Sequence, residues 1–432
     1  MTMKALILIA VSLVGAGVAG AAAGADERPV FRDFLGLNGH TVQFKPGLYK
    51  PVCRIVRDYH PVKWDLGGDT EVLPEWPFAK NRVSWEDVYG SWNEAGLRIS
   101  VCLIFDDMEV GDWNDLEADG RAYARSFAEN FGPNGRWPFV EWVEIGNEPG
   151  LYSDDDYRKL FRAMAEGIRE GDPDLKVVTC NVEAGGSDRY WKGVGVVEDM
   201  GSLFDAVQIH RYAIKDQWPV WRRTFPEDPA VPYLSSIQDL LDWRDRSAPE
   251  KEVWVSEFGW DASSQDPDPD GEWAEWVDST DEEQAMWIVR SFFRFAEMGV
   301  DKAMVYFFND SDEPKLHAAS GLTRNYQPKP AYHAVAWMLE ALADHRLGRV
   351  LRGSLEDGYH YEFVPEKEGG PRIWAAWLAT GEDGSIEADF EGAKVVKAEL
   401  MPLEAGDASE VVVDAASGQI PAGVRPRLIW LQ

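Results

Sequence analysis

The chain has 432 residues and a net charge of −32, from 75 acidic against 43 basic side chains, and no basic block interrupts it. That length holds one large barrel and a small accessory domain, with two domains as the ceiling. A field this negative excludes nucleic acid and anionic membranes as partners.

Lys4 opens the chain, followed by an apolar run from Ala5 to about Ala19 and a small-residue stretch from Gly20 to Ala25. This is the pattern of a secretory signal peptide, residues 1–25, and it predicts a secreted or periplasmic protein. The run is shorter than the roughly 20 residues a membrane span needs, and no later segment is apolar enough, so no membrane partner is expected.

From about residue 33 to 345, short apolar runs alternate with helical patterns. Eight strands are predicted: Phe34–Leu37, Cys53–Asp58, Arg98–Phe105, Val140–Asn147, Lys176–Asn181, Ala206–His210, Glu252–Glu257 and Lys302–Phe308. A helix is predicted from Ser153, with Asp154, Asp155 and Asp156 in its first turn and Tyr157, Leu160, Phe161, Met164 and Ile168 on one face. Another opens on Thr280-Asp281-Glu282-Glu283, a capping box, and runs to Gly299. Alternation of this kind predicts an α/β fold, a (β/α)8 TIM barrel over 26–345, rather than an open sheet, which usually carries a Gly-rich phosphate turn after its first strand. After residue 345 strands alternate without helices, at Tyr359–Val364, Arg372–Leu378, Val395–Met401, Glu410–Val413 and Arg427–Leu431. This predicts a small C-terminal β-sandwich-like domain over 346–432.

Cys53, Cys102 and Cys180 lie in strand-like runs and are odd in number, so they read as buried small hydrophobes rather than a disulfide framework. With no CxxC and no histidine cluster, no zinc site is expected. Asp266-Pro267-Asp268-Pro269-Asp270-Gly271 imitates the start of a calcium loop, but its twelfth position is Val277 instead of a bidentate Glu. No metal and no cofactor is therefore expected. Trp273 and Trp276 make this segment a candidate substrate-facing lid.

Barrel enzymes work at the carboxyl ends of their strands, so polar residues there are the candidates. Glu148, in Gly146-Asn147-Glu148-Pro149, ends strand 4, and Glu257, in Ser256-Glu257-Phe258-Gly259, ends strand 7. Barrel dimensions put their carboxylates roughly 6 Å apart, closer to a retaining than to a mid-range inverting glycosidase. If Glu257 is ionised, its charge keeps the proton on Glu148, giving a nucleophile and an acid at one pH. Asn147 is placed for a sugar hydroxyl, Arg57 for holding Glu257, and His60 for the same loop as Arg57. His210, Tyr212 and Asn181 end strands 6 and 5, and Phe307 and Phe308 end strand 8 as a stacking platform. The twenty tryptophans suit sugar-ring stacking as well as a core. Asn93-Glu94 repeats the Asn-Glu pair, but late in a helix begun at Ser84, and reads as surface. Glu144 lies deeper than Glu148 and needs buried partners.

Arg57, Asn147-Glu148-Pro149, His210-Arg211-Tyr212 and Glu257-Phe258-Gly259 together resemble glycoside hydrolases of clan A, the retaining barrel enzymes, closest to family 39 and less closely to family 5. The resemblance implies Glu148 as acid/base, Glu257 as nucleophile, Asn147, Arg57 and Tyr212 in support, and a carbohydrate substrate. Two departures stand out: Gly146 where family 39 often has Trp, and Phe307-Phe308 where clan members end strand 8 with Trp. The sequence therefore predicts a retaining O-glycoside hydrolase of a poly- or oligosaccharide. The alternatives are a catalytically silent carbohydrate-binding barrel and a transglycosylase using the same residues.

Overall fold

A computed structural model describes residues 28–40, 45–381, 383–406 and 408–432. The candidate leader, 1–25, lies outside the described residues. Eight parallel strands follow one another: β1 Leu35–Gly39, β2 Ile55–Pro61, β3 Arg98–Ile104, β4 Val140–Ile145, β5 Lys176–Glu183, β6 Ala206–His210, β7 Glu252–Phe258 and β8 Lys302–Val305. Each pairs with the next and β8 pairs with β1, so the sheet closes into a barrel.

The larger helices outside the barrel are α1 Trp85–Glu94, α2 Leu116–Phe131, α3 Asp154–Gly171, α4 Tyr233–Ser247, α5 Asp281–Met298 and α6 Pro330–Leu342. Their ends follow local chemistry. Ser153 accepts from the Asp156 amide at the start of α3, and Tyr157, Leu160, Phe161, Met164 and Ile168 are buried along it. Thr280 and Glu283 form the reciprocal box that opens α5, which stops at Gly299 in a left-handed conformation. Asn93 and Glu94 sit in the last turn of α1, as their sequence context suggests.

Strand alternation sorts the barrel interior into layers. At the amino ends, Ile55, Trp142, Val178, Ala206, Trp254 and Met304 form an apolar plug. Above it lies a buried polar layer that includes Asn38, Arg57, Ser100, Glu144, Gln208 and Ser256. The carboxyl ends carry the acids.

The C-terminal strands are β9 His345–Ser354, β10 Gly358–Pro365, β11 Arg372–Trp377, β12 Gly384–Glu387, β13 Val395–Leu400, β14 Gln419–Ala422 and β15 Arg427–Leu431. An antiparallel sheet runs in the order β9-β10-β11-β15-β13, with Ser409–Glu410 beyond β13, and β12 pairs with β14 apart from it. Ile373, Ala375 and Trp377 turn toward the barrel, while Trp374 and Ala376 pack with Ile386 and Ile420 of the smaller sheet. Two details depart from the sequence pattern: β9 is additional, and the strand expected at Glu410–Val413 contributes only its first residue. Cys53, Cys102 and Cys180 are free and buried. Among the described residues no helix is long and apolar enough to cross a membrane.

Candidate active site

Arg57 is the centre of the polar layer. It is fully buried, and its donors are distributed by position. Nε donates to both oxygens of Glu144, at 3.0 and 2.8 Å. Nη1 donates to Asn38 Oδ1 and Glu257 Oε1, each at 2.8 Å, and Nη2 to Asn147 Oδ1 at 2.9 Å. Glu144 also accepts from Ser100 Oγ at 3.2 Å and Gln208 Nε2 at 2.8 Å. These are the buried partners that its depth requires, and they make Glu144 the counterion that holds Arg57 upright under the site.

Glu257 ends β7 with a side chain only 8 % exposed. Besides Arg57, Tyr59 donates to its Oε1 at 2.6 Å and Tyr212 to its Oε2 at 3.0 Å, and His210 Nε2 lies 3.7 Å from Oε1. Burial alone would raise its pKa. Attraction to His210 and Arg57, with the two tyrosine hydrogen bonds, overcomes burial and brings it down to about 2. The group is an anion throughout the neutral range.

Glu148 is more open, with a side chain 27 % exposed, and its Oε1 lies 2.8 Å from His210 Nδ1. A Glu148 oxygen, a His210 ring nitrogen and a Glu257 oxygen lie within 4.8 Å of one another. The two carboxylates therefore approach, oxygen to oxygen, more closely than the roughly 6 Å from barrel dimensions, just under the retaining separation of about 5–5.5 Å and well below the inverting range of about 6.5–9.5 Å. Among the described residues these three form a potential metal-binding group. The Glu257 carboxylate already accepts from a guanidinium and two phenols, so a cation there would lie beside a fixed positive charge. The donor set fits proton chemistry better than cation binding.

Gly146 explains the turn that delivers Glu148. Its φ is 85°, and a Cβ there would come within 2.9 Å of Phe105 Cζ, so a tryptophan at this place is excluded by both backbone and space. Asp106, just past β3, takes the Glu148 amide at 2.8 Å and Asn147 Nδ2 at 3.1 Å. Asn147 is thus held at both ends of its amide, by Arg57 and Asp106.

The remaining sequence candidates divide. Tyr212, His210 and Phe307 lie at the mouth, Phe307 packing on His40 and Tyr306 at 5.3 and 4.6 Å between ring centroids. Three do not join a substrate surface. His60 lies within β2, faces outward, and is fully buried between Tyr89 at 2.7 Å, Asp65 at 2.6 Å and the stacked ring of Trp85. Phe308 is fully buried against Tyr49, with centroids 4.1 Å apart. Asn181 gives its oxygen to the His210 amide at 2.9 Å and its nitrogen to Tyr190 O at 2.9 Å, so it ties strand ends together. Arg57, fully buried behind Glu257, acts through that carboxylate. Sequence reasoning missed Tyr59, Asp106, Asn38 and Tyr306. The signal for Tyr59 was its shared parity with Arg57.

No protein-family model and no curated protein matches the sequence. Solved structures match the fold. A family 39 glycoside hydrolase from Bacteroides cellulosilyticus WH2 aligns with a TM-score of 0.67 at 17% identity, over 94% of this chain and 82% of that one. A glucosidase from Croceicoccus marinus gives 0.66 at 15%, over 95% and 98%. A family 30 subfamily 8 xylanase from Clostridium acetobutylicum gives 0.58 at 8%, over 94% and 97%. The structural neighbours are thus glycoside hydrolases of families 39 and 30, and what they share with this chain at such identities is the fold. Family 30 adds to what the motifs alone suggest.

Proposed function

We propose that this protein is a retaining O-glycoside hydrolase acting on a poly- or oligosaccharide, with Glu257 as nucleophile and Glu148 as acid/base. The observation that carries the reading is the pair itself: two carboxylates from β4 and β7 within 4.8 Å, one of them held anionic by its surroundings. In the first step a Glu257 oxygen attacks the anomeric carbon while Glu148 protonates the departing oxygen. The contact between Glu148 Oε1 and His210 Nδ1 leaves Oε2 to carry that proton to the substrate. Esterification of Glu257 removes its charge, Glu148 then ionises more readily, and it deprotonates the water that releases the sugar.

The hydrolase folds of the neighbours support a carbohydrate substrate, and their names, a glucosidase and a xylanase, differ in the sugar. A silent binding barrel gains nothing from two carboxylates this close, since their repulsion weakens the fold. We further propose export through the leader at 1–25, with 26–345 as the catalytic barrel and 346–432 as the accessory β-domain. The test is a glycan panel run with wild type, Glu148→Ala and Glu257→Ala. Glu148→Ala loses roughly 10²–10⁴-fold on unactivated glycosides but still cleaves activated aryl glycosides. Azide restores turnover to Glu257→Ala with an inverted product. Equal activity in all three proteins overturns the proposal.

A further inference from the structure

The loops around the candidate nucleophile hold a second cluster that the proposed reaction does not use. Arg223, after β6, and Asp261, after β7, form a buried ion pair at 3.0 Å. Arg223 Nη1 donates to Gly259 O at 2.7 Å, and its guanidinium lies 4.5 Å from the centroid of the Tyr212 ring. Its Nη2 reaches Nδ1 of His317, in the loop after β8, at 3.2 Å. Asp261 accepts from Ser320 Oγ at 2.6 Å and the Ala319 amide at 3.3 Å, which pins the chain beside His317. His317 itself has φ 63°, a left-handed conformation that non-glycine residues seldom adopt, so the loop holds this imidazole against a local preference. Its ring meets Tyr212 edge to face at 4.5 Å and Tyr306 at 6.1 Å.

A guanidinium has donors and no acceptor. Facing Arg223, Nδ1 of His317 must therefore accept, and the neutral ring carries its proton on Nε2. Burial, then the charge of Arg223, brings the His317 pKa down to about 4; Asp261 and Glu257 pull the other way and His210 adds to the lowering. Tyr212 and Tyr306 are the other titratable groups against the ring, and burial foremost raises both of them above their ordinary value. His317 is half-buried, and among the described residues its Nε2 has no hydrogen-bond partner while not being a buried orphan. One neutral N–H donor is thus left open on a ring packed against Tyr306 and against Tyr212, the tyrosine that donates to Glu257.

We infer that His317 is a specificity-determining residue, a fixed neutral donor oriented by Arg223 that hydrogen-bonds a hydroxyl oxygen of the sugar lying against Tyr212 and Tyr306. This rests on the hydrolase reading. A donor selects an acceptor, and two carboxylates already in the site disfavour a third on the substrate, so the group recognised is a hydroxyl.

Two measurements on the full chain test it. Histidine ¹⁵N NMR, with the His317 signal assigned by its loss in His317→Gln, is expected to read a neutral Nε2–H ring from pH 5 to 8, and Arg223→Met to move its titration up toward the ordinary range. An Nδ1–H ring, or titration near 6.5 in wild type, overturns the inference. Kinetics on the best glycoside of the panel and its monodeoxy analogues give the second readout. His317→Leu is expected to lose roughly 10- to 100-fold in kcat/KM on the parent sugar and little on the one analogue lacking the matching hydroxyl, and His317→Gln, which keeps an N–H, to recover most of the loss. Equal losses on parent and every analogue, or no loss, overturn the inference while leaving the hydrolase reading intact. No turnover on any glycan by wild type overturns both.

Discussion

Glu257 stays ionised in a buried place because Tyr59, Arg57 and Tyr212 all donate to it, and each donor is separately removable. Tyr59→Phe deletes a hydrogen bond to a charged acceptor, worth roughly 1.5–3 kcal/mol, so the Glu257 pKa rises from about 2 toward the ordinary 4.5. A carboxylate with a depressed folded pKa contributes its stabilisation above the unfolded value and loses it as pH falls through the folded one. Both the acid limb of kcat/KM and the acid-unfolding midpoint of Tyr59→Phe are therefore expected at higher pH than in wild type. Parallel pH titrations of activity and of circular dichroism check this, and unmoved limbs contradict it. Tyr59 also marks where the sequence was readable. The apolar pattern ends the second strand at Asp58 and leaves His60 in a loop, where no facing rule applies. The strand in fact runs to Pro61. Period-two alternation carried three residues further selects Tyr59 with Arg57 and sends His60 to the helices. Phe308 fails for a related reason: β8 stops at Val305, so the aromatics beyond it follow a turn rather than a strand.

At the scale of the elements, the strand ends are held to one another from below by Arg57. Arg57→Met leaves Glu144 and Glu257 buried without their shared cation, and chemical denaturation is expected to find a loss of about 3–5 kcal/mol. A change under about 1 kcal/mol would mean that the layer is not organised by this residue. Gly146→Ala is expected to cost at least about 1–2 kcal/mol through its left-handed backbone, with the clash against Phe105 added, and to displace Glu148. The check is an activity loss that exceeds the stability loss. Strand order and helix caps were legible because Ser153 and Thr280 announce their helices locally. β9 was not. Its residues, His-Arg-Leu-Gly-Arg-Val-Leu-Arg-Gly-Ser, are partly exposed, and its pairing with β10 shifts register twice, so bulges erase the alternation by which a strand is read.

For the whole molecule, the barrel and the C-terminal sheet share one hydrophobic core. Phe363 lies 5.3 Å from Phe31 and 5.5 Å from Phe293 between ring centroids, and Phe293 lies 5.5 Å from Trp377. A buried ion pair, Arg290 with Glu227, is tied across the same junction, Trp377 Nε1 donating to Glu227 at 2.8 Å and Arg290 to Ala379 O at 2.9 Å. Calorimetry is expected to record one cooperative transition, lowered by about 3–5 kcal/mol in Phe363→Ala. Two separated transitions would mean that the units unfold independently. The change from alternating units to plain strands near residue 345 was legible, whereas this junction was not, since its contacts span too much sequence for any local pattern to reveal. A closed barrel matters to function because it sets the distance between β4 and β7, and with it the stereochemistry. The most direct measurement is ¹H NMR of the anomeric proton in the first product released from a cleaved glycoside. Two carboxylates within 4.8 Å predict the substrate's own anomeric configuration, with the other anomer appearing only through later mutarotation; an initially inverted product contradicts the account.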